Sequence, residues 1–181
     1  MPVETMKNAD VTKKYKEFLY PSVITYYQEP LPLVSGQGCQ VSDAEGRKYL
    51  DFFGGILTVS IGHCHEKITA KVIAQLKKLQ HVSTLYPTLP AASLAERLAG
   101  ICPPGLKRSF FTNSGTEADE TAVLTAQHYT GNAEIIALRH SYSGRSAMAM
   151  SLTAHSAWRI SRAPVPNIRH AHAPYCYRCP F

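Results

Sequence analysis

From Glu66 to Leu79 the apolar residues fall at Ile68, Val72, Leu76 and Leu79, at intervals of four, four and three. That spacing places them on one face of a helix and predicts that the face is buried. A second helix is expected over 91–101, with Leu94, Ala95, Leu98 and Ile101 inward, and Pro103-Pro104-Gly105 stops it. Beyond this point the period changes. Residues 109–112 read as a short strand, 116–129 as a helix, and Glu134–Leu138 (EIIAL) as a second strand. Strand, helix and strand in that order make a βαβ unit, the building block of an α/β domain. Ala118, Ala122 and Ala126 give its helix a narrow stripe that can lie close against a sheet.

The amino-terminal part is organised differently. The first thirty residues read as a short helix and an extended arm broken by prolines, ending in Pro30-Leu31-Pro32. A hairpin follows, with 39–42 and 48–53 flanking the turn Asp43-Ala44-Glu45-Gly46. Pro, His and Cys crowd the segment from Pro164 onward, to which no regular element is assigned.

Composition narrows the class. With 45% hydrophobic and 18% charged residues, the 181-residue chain is ordinary globular protein. No apolar run reaches the roughly 18 residues that cross a bilayer, and the first twenty residues lack the apolar core of a secretory signal. A cytoplasmic location is therefore expected. The net charge of +6 invites a nucleic-acid reading, but the basic residues are dispersed. Neither nucleic acid nor membrane is expected as a partner. No Asp or Glu follows Glu134, while Arg139, Arg145, Arg159, Arg162, Arg169 and Arg178 do. The expectation from that imbalance is a chain that ends within a domain. Five cysteines, an odd number, argue for reduced thiols.

The most informative stretch is Phe110-Phe111-Thr112-Asn113-Ser114-Gly115-Thr116-Glu117-Ala118. It runs from a strand through a Ser-Gly-Thr turn directly into a helix. The first turn of a helix has backbone N–H groups without internal partners and carries the positive end of the dipole. Glycine lets an anion approach, and two hydroxyls add donors, as in a phosphate cradle. The same residues also fit a capping box, Ser114 with Glu117 three positions on. No Walker lysine and no G-x-G-x-x-G accompany the turn, which weakens nucleotide readings.

A wider pattern joins this turn. Tyr49-Leu50-Asp51-Phe52-Phe53-Gly54-Gly55-Ile56, then Gly62-His63-Cys64-His65, then Asn113–Ala118, then Tyr142-Ser143-Gly144-Arg145, resemble class III aminotransferases in order and in spacing. The resemblance implies part of a fold-type I α/β domain around a mostly parallel sheet. It also implies pyridoxal 5′-phosphate as cofactor, an amino acid and an oxo-acid as substrates, and a homodimer. On this basis 1–60 is an arm with the hairpin of a small domain, 61–163 the first part of the cofactor-binding large domain, and 164–181 an irregular tail. Ser114, Gly115 and Thr116 are implied to hold the phosphate, and Tyr142 to stack on the pyridine with Ser143 beside it. Arg145 is implied to grip a substrate carboxylate through its guanidinium fork, and Ile56 to line the substrate pocket.

Two positions depart from the family. Ser143 stands where members usually have His, and Asp119 where they usually have Asn. Asp119 adds a negative charge near the phosphate position and is expected to weaken binding. The lysine that carries the cofactor covalently and the carboxylate that faces the pyridine nitrogen lie downstream of the turn in this family. Here the last lysine is Lys107 and the last carboxylate side chain Glu134. No catalytic residue is therefore assigned, and the chain alone is expected to be inactive. The alternative is a non-catalytic remnant, or a subunit that pairs with a full-length relative. A third reading is a small zinc module built on His170, His172, Cys176 and Cys179. His63 and His65 are expected to pack or line a pocket rather than bind metal.

Overall fold

The structure is a computed structural model that describes residues 6–181; the first five residues of the expected arm lie outside it. Two compact units divide the chain, Met1–Tyr86 and Pro87–Phe181.

In the first unit, helix α1 (Asn8–Phe18) precedes a three-stranded antiparallel sheet of β1 (Leu33–Gln37), β2 (Gln40–Asp43) and β3 (Lys48–Leu50), in that order. The expected hairpin is β2–β3. Gly46, with φ +80°, supplies the left-handed residue that its turn requires. Strand β1 was not foreseen, because Leu33-Val34-Ser35-Gly36-Gln37 has no alternation of apolar and polar residues. Along β2, Val41 and Asp43 point inward and are buried. A single turn, α2 (Gly54–Leu57), and helix α3 (Glu66–Lys78) follow.

The second unit begins with α4 (Leu89–Ile101) and continues through α5 (Gly115–Thr130), β4 (Ile135–Leu138), α6 (Ala147–Leu152) and β5 (Ile168–Ala171). β4 and β5 pair in parallel, from Ile135 opposite Ile168 to Leu138 opposite Ala171. The βαβ unit is therefore β4–α6–β5, two elements later than the sequence suggested. Residues 109–112, expected as a strand, form no regular element and have no ladder partner among the described residues. Part of the tail 164–181, expected to be irregular, is strand β5. Its Ile168-Arg169-His170-Ala171 has the alternation of a half-buried strand.

The core of this unit lies around α6, a six-residue helix in contact with both α5 and β5. Ala149, Ser151, Leu152 and Thr153 are buried there, together with Val123 of α5. Hydroxyls stitch the short helix to its surroundings. Ser146 Oγ accepts from the Ala149 N–H at 3.1 Å. Ser151 Oγ donates to the Ala147 carbonyl at 2.7 Å and accepts from the Val165 N–H at 2.8 Å. The bonds to Ser146 Oγ and Ser151 Oγ give the Ala149 and Val165 amides their acceptors.

The faces expected to be buried on the other helices are not. Ile68, Val72 and Leu76 of α3 are each about half exposed, as is Leu94 of α4, and Ile101 is 81% exposed. Ala118, Ala122 and Ala126 of α5 line an open groove with Phe110 and Tyr129 instead of meeting a sheet. Periodicity identifies which face is apolar, but burial also needs a second layer. None covers these faces among the described residues. No helix described here is long and apolar enough to cross a membrane.

Candidate active site

The start of α5 carries the first group of predicted residues. Ser114 is extended (φ −151°, ψ 160°) and caps the helix, its Oγ accepting from the Glu117 N–H at 3.2 Å. Glu117 reaches back, its Oε2 accepting from the Asn113 N–H at 2.7 Å. The Ser114 half of the expected capping box is thus formed, while the return bond from Glu117 goes to Asn113, the residue before the cap, instead of to Ser114. These two bonds occupy the Asn113 and Glu117 amides, and the Ala118 N–H bonds to the Ser114 carbonyl at 3.1 Å. The Gly115 and Thr116 amides have no protein partner among the described residues. The two readings of this turn are therefore compatible, since the cap shapes it and two donors remain at the positive end of a 16-residue helix. A Cβ built on Gly115 meets nothing within 4 Å, so the space beside it is open. Unpaired amides beside open space at a helix start are the general features of an anion site.

The second group is brought to the same place. Gly144 is buried against the Thr116 side chain, and the Arg145 N–H donates to Thr116 Oγ1 at 3.4 Å. Only a glycine permits this crossing, because its φ of +131° is left-handed and a Cβ here would overlap the threonine hydroxyl. The loop 142–145 thus lies over the first turn of α5. Tyr142 is 52% exposed, and its ring meets Trp158 edge-on at 5.5 Å and 84°. Its ring therefore keeps surface free for a flat ligand. The Ser143 N–H donates to Thr153 Oγ1 at 3.0 Å. Arg145 is exposed and makes no ion pair among the described residues.

Ile56 belongs to the other compact unit and lies in α2, 69% exposed. Residues Gly54 to Leu57 all have left-handed φ, between +55° and +65°. That is a strained conformation for a β-branched side chain. Asp51 anchors the entry to this turn. Its Oδ1 accepts from the Phe53 and Gly54 amides at 2.8 and 2.9 Å, and its Oδ2 lies 2.7 Å from His63 Nε2. The His63 bond, followed by those two amides, lowers the Asp51 pKa to about 2.

Asp43 anchors the same unit further. It is 1% exposed and accepts from Asn8 Nδ2, the Glu45 and Arg47 amides, Arg47 Nε and the Tyr49 hydroxyl, all within 3.0 Å. Burial alone raises a carboxyl pKa. Here the bonds from Asn8, the Arg47 amide, Tyr49 and the Arg47 side chain more than reverse it and hold the group well below the usual range.

The zinc constellation is not assembled. His170 Nε2 lies 3.2 Å from the Leu152 carbonyl, His172 packs edge-on against Phe181 at 5.2 Å, and Cys176 and Cys179 are exposed. No three His, Cys, Asp or Glu side chains gather as a metal site among the described residues. Thr153, His155 and Trp158 were missed by sequence reading. They are spaced irregularly, and only the fold brings Thr153 and Trp158 against 142–145 and His155 against Trp158.

Comparison with known proteins agrees with the resemblance. Residues 24–180 match the family model described as "Aminotransferase class-III". The mitochondrial alanine–glyoxylate aminotransferase 2 homolog 2 of Arabidopsis thaliana is 43% identical over 178 residues, 98% of this chain and 37% of that protein. The acetylornithine aminotransferase of Archaeoglobus fulgidus is 41% identical over 141 residues, 78% of this chain and 37% of that protein. Among solved structures, an (S)-enantioselective omega-transaminase from Thermomicrobium roseum superposes with a TM-score of 0.83 at 34% identity, covering 96% of this chain and 42% of that one. An omega-transaminase from Pseudomonas jessenii, solved in complex with PMP, gives 0.80 at 25% identity over 94% of this chain and 40% of that one. The chain therefore spans about two-fifths of the length of these relatives. The mitochondrial name of the plant protein lends no support to the cytoplasmic location expected from the sequence.

Proposed function

The chain belongs to the class III aminotransferases, with part of their fold-type I α/β domain, and from that premise we propose that it supplies the phosphate- and ring-binding face of a pyridoxal-phosphate transaminase site. One observation carries this reading. The loop 142–145 crosses the start of α5 where two amide donors stand free, with the Arg145 N–H 3.4 Å from Thr116 Oγ1. The substrates proposed are an amino acid, with the amine either next to or remote from the carboxylate, and an oxo-acid.

When bound, pyridoxal phosphate supplies a carbonyl carbon that takes up an amine and a ring that accepts electrons. The residues of this chain hold and orient it. The Gly115 and Thr116 amides and the Thr116 hydroxyl receive the phosphate at the helix dipole, with Ser114 fixing the turn. Tyr142 offers a ring face for offset stacking, and Ser143 lies beside it. Arg145, always charged, binds a substrate carboxylate bidentately. Asp119 sets a carboxylate in the second turn of α5 and moderates phosphate affinity. The large and small domains proposed are 61–163 and 1–60, and the working assembly is a homodimer.

In these 181 residues the last lysine is Lys107 and the last carboxylate side chain Glu134, both outside the loops just described. We therefore assign this chain reversible, non-covalent cofactor binding without turnover on its own. Reduction of the cofactor-loaded chain with borohydride, followed by peptide mapping, tests this. Scattered low-level lysine labelling and no amino transfer are expected. Stoichiometric trapping at one lysine, or turnover by the chain alone, overturns the assignment.

A further inference from the structure

The loop 142–145 has three residues with proposed roles, yet its own side chains do not fix it in place. Its backbone is held at two points. At one, the Arg145 N–H bonds to Thr116 Oγ1 at 3.4 Å. At the other, the Ser143 N–H bonds to Thr153 Oγ1 at 3.0 Å. Thr153 is fully buried and donates its own hydroxyl proton to the Ala149 carbonyl at 2.9 Å. A hydroxyl has one proton to give and lone pairs to accept with, so one small group serves both partners. Valine has the same shape and can serve neither.

The residues just after Thr153 reach the same loop. Trp158 meets the Tyr142 ring edge-on at 5.5 Å and stacks on His155 at 4.4 Å and 29°. The Ala154 N–H, next along, bonds to the Ser141 carbonyl at 3.2 Å. The exit from α6 therefore grips the loop on both sides of Tyr142, through Ser141 and Ser143.

We propose that Thr153 is a positioning residue for the cofactor site: its buried hydroxyl fixes the Tyr142–Ser143 backbone so that the Tyr142 ring and Arg145 stand over the first turn of α5. This rests on the cofactor assignment above. The chain contains its own control. Ser151, equally buried, makes the same kind of paired bond, to the Ala147 carbonyl at 2.7 Å and from the Val165 N–H at 2.8 Å, but does not touch the loop.

The test compares the wild-type 181-residue chain with Thr153→Val, Thr153→Ser and Ser151→Ala by two readouts. The first is hydrogen exchange at the Ser143 amide, which needs no cofactor. Thr153→Val is expected to speed it about tenfold or more, through loss of a buried acceptor. Thr153→Ser and Ser151→Ala leave it near the wild-type rate. The second is titration with pyridoxal phosphate, followed by quenching of Trp158, the single tryptophan. Thr153→Val is expected to weaken affinity about tenfold and Thr153→Ser less than about threefold. Unchanged Ser143 exchange in Thr153→Val overturns the proposal, as does unchanged affinity in that variant. If Thr153→Val does not fold, Thr153→Ser still decides, because a large loss of affinity there contradicts a role for the hydroxyl. Failure of the wild-type chain to bind pyridoxal phosphate defeats the cofactor assignment instead, while the exchange data still report whether Thr153 holds the loop.

Discussion

Replacing Gly144 with alanine tests the crossing on which the site is built. Gly144 has φ +131°, a left-handed value that an L side chain adopts only under strain, roughly 1–3 kcal/mol. Its added Cβ would overlap the Thr116 hydroxyl and lie 3.0 Å from Thr116 Cβ and 3.1 Å from Ala149 Cβ. Overpacking of this kind adds roughly another 1–3 kcal/mol. The total, about 2–6 kcal/mol, is a large share of what a small domain has. Relief requires Thr116 to turn away, which breaks its bond with Arg145, or the loop to lift from α5. Gly105→Ala is the comparator, since Gly105 has φ +95° but open space where the Cβ would go. It bears the backbone strain without the clash. Urea unfolding of both variants, followed by Trp158 emission and far-ultraviolet circular dichroism, gives the difference as a shift in midpoint at similar slope. Gly144→Ala is expected to lose at least about 1 kcal/mol more than Gly105→Ala. Equal loss in the two variants would refute the claim that loop and helix start are pressed together.

Other predictions concern the first unit and the cysteines. Asp43→Ala removes the acceptor shared by Asn8, Arg47 and Tyr49. It should free α1, raising proteolytic cleavage within Asn8–Phe18 about tenfold. Asp51 has a folded pKa of about 2 against an ordinary 3.8. Its stabilising contribution is therefore complete above about pH 4 and is lost as pH falls toward 2. Acid titration of stability should show a shallower loss in Asp51→Asn than in wild type, and identical slopes would contradict the Asp51–His63 pairing. All five cysteines are exposed, so a thiol reagent should label every one in the native chain at similar rates. Zinc in slight excess should not protect Cys176 or Cys179, and protection of both would reinstate the metal reading.

The capped start of α5 was legible because its pattern is local. A capping serine, a glycine and a hydroxyl are consecutive, and together they shape one end of one helix. The loop 142–145 was legible only through the family resemblance, since neither Tyr142 nor Arg145 has a local pattern that marks it. What holds that loop was not legible at all. Thr153 and Trp158 act through contacts that need β4, α6 and the turn after α6 in place, and a lone threonine after Ser-Leu carries no signature. The helical faces erred in the opposite direction. Ile68, Val72 and Leu76 have the right period, but period does not reveal whether anything lies opposite. Strand β5 escaped because prolines and histidines around Ile168–Ala171 read as loop, and a parallel partner 33 residues away leaves no hairpin signal.

The central claim is that the amides opening α5 receive a phosphate. Calorimetric titration of the chain with pyridoxal phosphate and, separately, with pyridoxal, which has the same ring and aldehyde but no phosphate, tests it directly. Saturable binding of the phosphorylated form, at least about a hundredfold tighter than pyridoxal, is expected from charge-assisted bonds at a helix start. Equal affinity for the two compounds would mean that the Gly115 turn does not bind phosphate, and the site described here would be wrong.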